Sequence, residues 1–141
     1  MSRLPYVSSF RELIVYQKSR QLAHEIFQLT RTFPPEEKYA LVDQIRRSSR
    51  SIGAQIAEAW AKRFYEKHFI SKLSDADGEQ QETQHWIEIA LDCQYLSKDQ
   101  STRLLNQCKE IGKLIGGMMA KSEQFCQRER LLREPLADYF I

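Results

Sequence analysis

The chain has 141 residues, a length that fits one domain able to bury a core without metal or disulfide staples. Hydrophobic residues make up 42% and charged residues 28%, and the 5 Gly and 4 Pro leave little material for strands and turns, so the composition favours a soluble helical protein. The formal net charge of +2 is too small to indicate nucleic-acid binding, which therefore depends on how the charges are distributed.

The cysteines and the N-terminal residues indicate the cellular compartment. Cys93, Cys108 and Cys126 are odd in number and form no Cys-x-x-Cys pair, which favours reduced thiols in a core or an interface. The N-terminus lacks a continuous apolar stretch, and nowhere do about 18 apolar residues run together. We therefore expect a cytoplasmic protein that does not associate with membranes.

The first two helices are predicted from capping signals and apolar spacing. Ser9 and Glu12 form a capping box, so helix 1 is expected to begin at Ser9. It should end near Arg31, because the prolines of Phe33-Pro34-Pro35 remove backbone donors. Helix 2 is expected to begin at Pro35. The predicted core positions of these helices are Val15, Leu22, Ile26, Leu29, Val42, Ile45, Ser49, Ile52, Ile56 and Trp60.

Two further helices follow. The boundary between helices 2 and 3 is expected near Lys62 to Tyr65, and a second capping box, Ser97 to Gln100, opens helix 4. Their predicted core positions are Phe69, Leu73, Ala76, Thr83, Ile87, Ala90, Leu104, Cys108, Ile111, Ile115, Met118 and Phe125. The sequence thus predicts an all-α fold, an antiparallel up-and-down four-helix bundle over residues 1–126, with a C-terminal extension over residues 127–141.

A second apolar strip lies on the C-terminal half of helix 3, beyond what one bundle core needs. It comprises Trp86, Ile89, Cys93 and Leu96. A neighbouring subunit, another partner or the chain's own tail would each cover such a strip, and the sequence leaves these alternatives open. In the tail, the apolar residues 136–141 are a second candidate docking segment.

Catalytic and metal-binding patterns are sparse. Glu82 and His85 form a Glu-x-x-His step of the kind that di-iron bundles use, but such a site needs a second step and two further carboxylates facing inward. Gly-rich phosphate-binding loops are missing from the sequence. We therefore expect a protein that is not an enzyme and that has no metal or cofactor.

Charge is unevenly divided between helices 2 and 3. Residues 46–63, at helix 2 and its end, contain five basic residues and a single acid, Glu58, whereas residues 75–92 of helix 3 carry six acids and no Lys or Arg. The basic residues are Arg46, Arg47, Arg50, Lys62 and Arg63. Two interpretations remain open: these residues pair with acids within the protein or across a subunit interface, or they bind nucleic acid.

Residues 33–59, from Phe33-Pro34-Pro35 through Ile52-Gly53-Ala54 to Glu58-Ala59, resemble the signature of the bacterial 23S rRNA intervening-sequence proteins. Residues 10–19 and Gly78 with Glu82-Thr83 extend this resemblance over roughly residues 8 to 123. The family prefers Pro at the position of Gly53 and Asn at that of Gln55.

The resemblance implies a four-helix bundle that assembles as a homopentameric ring and has no catalytic residues. A similar fold serves as the accessory variability determinant of diversity-generating retroelements, which associates with a reverse transcriptase and with nucleic acid. Our leading hypothesis is therefore a homo-oligomeric scaffold whose basic helix 2 surface contacts RNA, DNA or a nucleic-acid-processing protein. The alternative is an adaptor that binds a protein through the strip of helix 3 or through the tail.

Overall fold

Four long helices follow one another in the computed structural model, which describes residues 7–127. No strand occurs among these residues. The helices are α1 (Ile14–Thr30), α2 (Leu41–Ala61), α3 (Glu66–Asp92), α4 (Lys98–Ala120) and the short α5 (Ser122–Phe125), with 3-10 turns at Phe10–Glu12 and Pro35–Glu37.

The first two helices begin later than the sequence predicted. Ser9 accepts a hydrogen bond from the Arg11 backbone N–H, but this cap opens only a 3-10 turn. Leu13 then adopts an extended backbone (φ −67°, ψ 130°) with its side chain buried, and α1 starts at Ile14. Pro35 likewise opens a 3-10 turn, and the non-helical Ala40 delays the start of α2 to Leu41. Both predicted starts were wrong because a local cap fixes one turn, whereas core packing decides where a helix continues.

Two other predicted boundaries, the turn after α2 and the start of α4, are confirmed, whereas the helix predicted to continue to Phe125 ends at Ala120 and is followed by the separate α5. The turn between α2 and α3 spans residues 62–65, where the sequence placed it. The capping box of α4 forms in full: Ser97 Oγ accepts from the Gln100 backbone N–H (3.1 Å), and Gln100 Oε1 accepts from the Ser97 N–H (2.9 Å).

Each long helix packs against two others in cyclic order, α1 with α2, α2 with α3, α3 with α4 and α4 with α1. Consecutive helices joined by short connections run antiparallel, so this order is that of an up-and-down four-helix bundle. The predicted core positions are buried, with the exception of Leu29, which is half-buried. The 3.6-residue spacing of apolar side chains therefore identified the core correctly.

The predicted C-terminal extension lies almost wholly outside the described residues, which end at Gln127. None of the helices within residues 7–127 is long and apolar enough to cross a membrane.

Candidate nucleic-acid interface

The five basic residues predicted for helix 2 do not share one surface in the structure. Arg46 and Arg50 face α1, Arg47 faces α3, and the remaining two, Lys62 and Arg63, lie beyond the C-terminal end of α2. Sixteen residues of helix separate Arg46 from Lys62, which corresponds to about 24 Å along the axis. The predicted set therefore divides into three places, each with its own chemistry.

Arg47 is paired within the chain. Its guanidinium forms an ion pair with Glu82 and lies 3.9 Å from a carboxylate oxygen of Glu79, both on α3. Trp86 Nε1 also donates to Glu82 Oε2 (3.1 Å). The charge pairing of helices 2 and 3 that the sequence left open is thus present at Arg47.

Arg63 and Lys62 form the second group. The Arg63 guanidinium lies 3.5 Å from the centre of the Trp60 ring, and its Nε donates to the Trp60 carbonyl (2.8 Å). Lys62, the C-cap residue of α2, is exposed. Arg63 therefore closes the end of α2 against Trp60 and has a structural role there.

Arg46 lies half-buried against α1. Its Nε donates to Thr30 Oγ1 (2.8 Å), and its guanidinium carbon lies 4.7 Å from the centre of the Phe27 ring. Arg50, one turn further along α2, lies 5.7 Å from the same ring centre. Two cations of α2 are thus held beside one aromatic ring of α1.

Helix α1 and its C-cap residue add two arginines that the charge pattern of helix 2 did not reveal. Arg31 lies 5.9 Å from the centre of the Phe27 ring, and Arg20 lies 5.9 Å from that of Tyr16. Arg20, His24, Phe27 and Arg31 follow one another at spacings of four, three and four residues, which puts them on one helix face. This spacing is the signal by which the sequence alone would have identified them.

We call Arg20, Arg31, Arg46 and Arg50 the arginine face. None of the ion pairs formed among residues 7–127 involves any of the four. Nearby acids of α1 and α2 have other partners: Glu25 binds Arg103 and Gln107, whereas Glu58 binds Lys72. The arginine face is therefore a surface of positive charge on a chain whose net charge is close to zero.

The electrostatics of Arg46 reflect this crowding. Burial lowers the pKa of Arg46 from its ordinary value, and the positive charges of Arg50 and Arg31 lower it further. Like charges held this close raise the free energy of the folded protein unless an anion or a carboxylate approaches them. A bound phosphate would relieve the repulsion, because guanidinium groups bind phosphate oxygens with charge-assisted hydrogen bonds.

The predicted interface strip of helix 3 is smaller than the sequence suggested. Trp86 and Ile89 are half-buried and Cys93 is exposed, but Leu96 is only 4% exposed. Gln94 adopts a left-handed backbone (φ 64°) after the end of α3, and this turn directs the chain back so that Leu96 enters the core. Leu96 is thus a core residue of this chain. The part of the strip that is exposed to solvent, wholly or in part, consists of Trp86, Ile89 and Cys93.

The Glu-x-x-His step does not acquire further ligands. Within residues 7–127 no three side chains among His, Cys, Asp and Glu come close enough together to hold a metal ion. Glu82 binds Arg47 and Trp86, and the His85 ring lies edge-on against Trp86 at 4.7 Å. Glu82 thus links α3 to α2 through Arg47, and Trp86 contacts Glu82 and His85 within α3.

The fold and the arginine face together define an all-helical bundle with a basic surface between α1 and α2. The profile of the 23S rRNA-intervening sequence protein family matches residues 11–117, and the chain belongs to this family. The family that the sequence analysis inferred is thereby confirmed.

Among the solved structures that match this chain, one is similar along most of its length. It is the crystal structure of a protein of unknown function from the S23 ribosomal protein family of Bacteroides thetaiotaomicron. The two chains are 33% identical, the match covers 76% of this chain and 96% of the other, and the TM-score is 0.69. A comparison with curated proteins finds no match.

Proposed function

We propose that this protein is a non-enzymatic homo-oligomeric scaffold, pentameric as in the sequence hypothesis, that binds RNA through the arginine face. The observation that supports the RNA contact is that Arg31, Arg46 and Arg50 all lie beside one ring, that of Phe27. None of these three arginines forms an ion pair with a carboxylate within residues 7–127. Of the basic residues first predicted, Arg46 and Arg50 are retained in this proposal, and Arg20 and Arg31 join them.

The arrangement of the arginine face suits the recognition of phosphate groups. Arginine presents planar donors that match phosphate oxygens, and each phosphate neutralised by a protein cation releases counterions from the nucleic acid. Holding Arg46 in place by Thr30 and Phe27 reduces the side-chain entropy that binding removes. The partner in the cell would be an RNA, or an RNA engaged by a nucleic-acid-processing enzyme such as a reverse transcriptase.

The experiment is a salt titration of binding to a fluorescein-labelled RNA, followed by anisotropy. The variant Arg46→Gln/Arg50→Gln removes two charges from the arginine face, and Lys109→Gln/Lys113→Gln removes two exposed charges from α4 as a control. We expect the first variant to bind at least tenfold more weakly and to lower the salt slope by about 0.7 for each phosphate that it no longer neutralises. Undetectable RNA binding by the native protein at low salt, or equal affinities for the two variants, would overturn the RNA contact.

The oligomer is proposed to form through Trp86, Ile89 and Cys93. Half-buried apolar side chains beside an exposed cysteine on α3 are the kind of surface that a neighbouring subunit covers. Native mass spectrometry measures the assembly directly, and the variant Ile89→Asp places a charge in the proposed contact. We expect a pentamer for the native chain and smaller species for the variant, whereas a native monomer contradicts the proposal.

A second candidate function is a protein-binding adaptor without a nucleic-acid role. The same partly exposed Trp86 and Ile89 favour it, because they offer an apolar surface on a different helix from those that carry the arginine face. Pull-down with and without nuclease separates the two functions. An adaptor retains its partner after the nucleic acid has been digested, whereas a partner held through RNA is released.

A further inference from the structure

A groove runs between α1 and α2 along the arginine face. Its larger cavity has a volume of about 380 Å³, and a second one of about 200 Å³ continues it. The two cavities share Ala23 and Arg50 as lining residues. The groove is therefore continuous, and Arg50 stands where its two parts meet.

Small side chains keep the groove open. The small residues that line the larger cavity are Ser19, Ala23, Ser49, Gly53, Ala54 and Ala57. At Gly53, a Cβ atom would lie 3.1 Å from Ser19 Oγ and 3.5 Å from the Tyr16 ring, so the bare glycine lets the two helices approach closely at the bottom of the groove. The Ser19 and Ser49 hydroxyls donate to backbone carbonyls of their own helices, so neither hydroxyl proton is directed at a ligand in the groove.

Aromatic rings stand along the groove, with arginines between them. Phe10 and Tyr16 line the larger cavity and pack edge to face at 4.9 Å, while His24 and Phe27 line the smaller one. Arg20 lies beside Tyr16, and Arg50 stands between the two aromatic pairs. Aromatic rings alternating with cations along a groove are the arrangement by which proteins hold successive nucleotides of a single strand.

We infer that this groove binds single-stranded RNA or DNA in preference to a duplex, with one base entering the larger cavity beside Tyr16 and the flanking phosphates on Arg20 and Arg50. This inference rests on the proposed nucleic-acid binding and specifies the form of the ligand. Paired bases are stacked inside a duplex and cannot enter a concave cavity, whereas the unpaired bases of a single strand are available for it.

The test compares labelled single strands of RNA and of DNA with a duplex of equal phosphate number, at one salt concentration. We expect both single strands to bind about tenfold more tightly than the duplex. Equal affinity for single strand and duplex overturns this inference and leaves the proposed function standing, because phosphate contacts alone would then explain the binding. If no nucleic acid binds, the proposed function itself fails and this inference fails with it.

Two variants test the groove itself. Ala54→Leu fills the groove at an exposed position of α2 without removing a charge, and Ala61→Leu makes the same change at an exposed position outside it. Ala54→Leu should weaken single-strand binding about tenfold and leave duplex binding unchanged, whereas Ala61→Leu should alter neither. Equal single-strand affinities for the two variants overturn the inference.

A second readout separates a nucleic acid from another copy of this chain as the occupant. Native mass spectrometry of Ala54→Leu should show the same assembly as the native chain. If the assembly dissociates instead, the groove is a subunit interface and the inference is wrong. Tyr16→Phe keeps the ring and should bind as the native chain does, while Tyr16→Ala should lose the preference for single strands; retention of that preference by Tyr16→Ala also contradicts the inference.

Discussion

Arg46 of α2 lies with its guanidinium 4.7 Å from the centre of the Phe27 ring of α1, and the ring orients the cation while leaving it half exposed. The Arg46 Nε also donates to Thr30 Oγ1, so that a ring and a hydroxyl of one helix hold a charge of the other. A cation fixed in this way binds an anion with a smaller loss of conformational entropy than a mobile lysine would. The relationship between these two residues connects the packing of the bundle with its proposed function.

Replacing Arg46 by lysine tests whether geometry matters as well as charge. Arg46→Lys keeps the charge but removes the planar stacking on Phe27, an interaction of about 0.5–1 kcal/mol at partly exposed sites. We expect RNA affinity to fall about threefold, measured by anisotropy at fixed salt. Arg103→Lys in α4 serves as the control, and an unchanged affinity for Arg46→Lys would show that net charge alone determines binding.

A buried hydrogen bond between Ser48 of α2 and Thr83 of α3 is expected to stabilise the bundle. Their hydroxyl oxygens lie 2.9 Å apart, and both residues are buried. Ser48→Ala or Thr83→Val removes this bond, while the remaining hydroxyl keeps a carbonyl of its own helix as acceptor, Ile45 for Ser48 and Glu79 for Thr83. The free energy of unfolding should therefore fall by about 0.5–1.5 kcal/mol. Urea denaturation of the two single variants and of the double variant measures this effect.

The double variant is the control for that experiment. Because each single variant already removes the shared hydrogen bond, the total loss in the double variant should be smaller than the sum of the two single losses. Strictly additive losses would mean that the two hydroxyls do not interact.

The caps at Ser97 and Ser9 should differ in their contribution to stability, because only the one at Ser97 forms a complete capping box. Ser97→Ala removes the cap of the long helix α4, and we expect a loss of about 1 kcal/mol in the free energy of unfolding. Ser9→Ala affects only a three-residue 3-10 turn at the edge of the bundle, so its effect should be smaller. Thermal or urea unfolding followed by circular dichroism compares them, and equal losses would contradict the structural difference between the two caps.

The cysteines should react with iodoacetamide in the order of their exposure. Burial raises the pKa of Cys108 to about 12 and is the first cause that raises that of Cys126 to about 11, whereas Cys93 is exposed. Because the thiolate is the reactive form and the proposed subunit contact would cover Cys93, the reaction is run on the dissociated Ile89→Asp variant, in which Cys93 should be modified first and Cys108 only when the protein unfolds. Peptide mass spectrometry after timed reaction at pH 8 identifies the sites, and early modification of Cys108 would contradict its burial.

The raised pKa of Cys108 makes the stability of the protein depend on pH. The folded pKa of Cys108 lies above the ordinary value of 9.0, so the unfolded chain releases the thiol proton first as the pH rises. The contribution of Cys108 to stability is therefore complete below about pH 9 and decreases between pH 9 and 12. Comparing the native chain with Cys108→Ala in urea over this range isolates the contribution, and parallel curves for the two proteins would contradict it.

The sequence by itself determined the helices, their apolar faces and the family, because each of these depends on spacing along one chain. Ile45, Ile52 and Ile56 recur at helical intervals, and such intervals predict a buried face without reference to any neighbour. The capping box at Ser97 is equally local, since its two hydrogen bonds join residues three positions apart. The box at Ser9 has the same pattern, yet packing of the following Leu13 interrupts the helix there.

Only the tertiary structure decided which charges act together. Arg46 and Arg47 are adjacent in sequence, but they point to different neighbours: Arg46 lies against Phe27 of α1, and Arg47 pairs with Glu82 of α3. Successive residues of a helix are rotated by about 100°, so adjacent charges reach different helices, and the identity of those helices follows from packing. The arginine face exists because two helices bring their cations to a common groove, a relation that no single stretch of sequence contains.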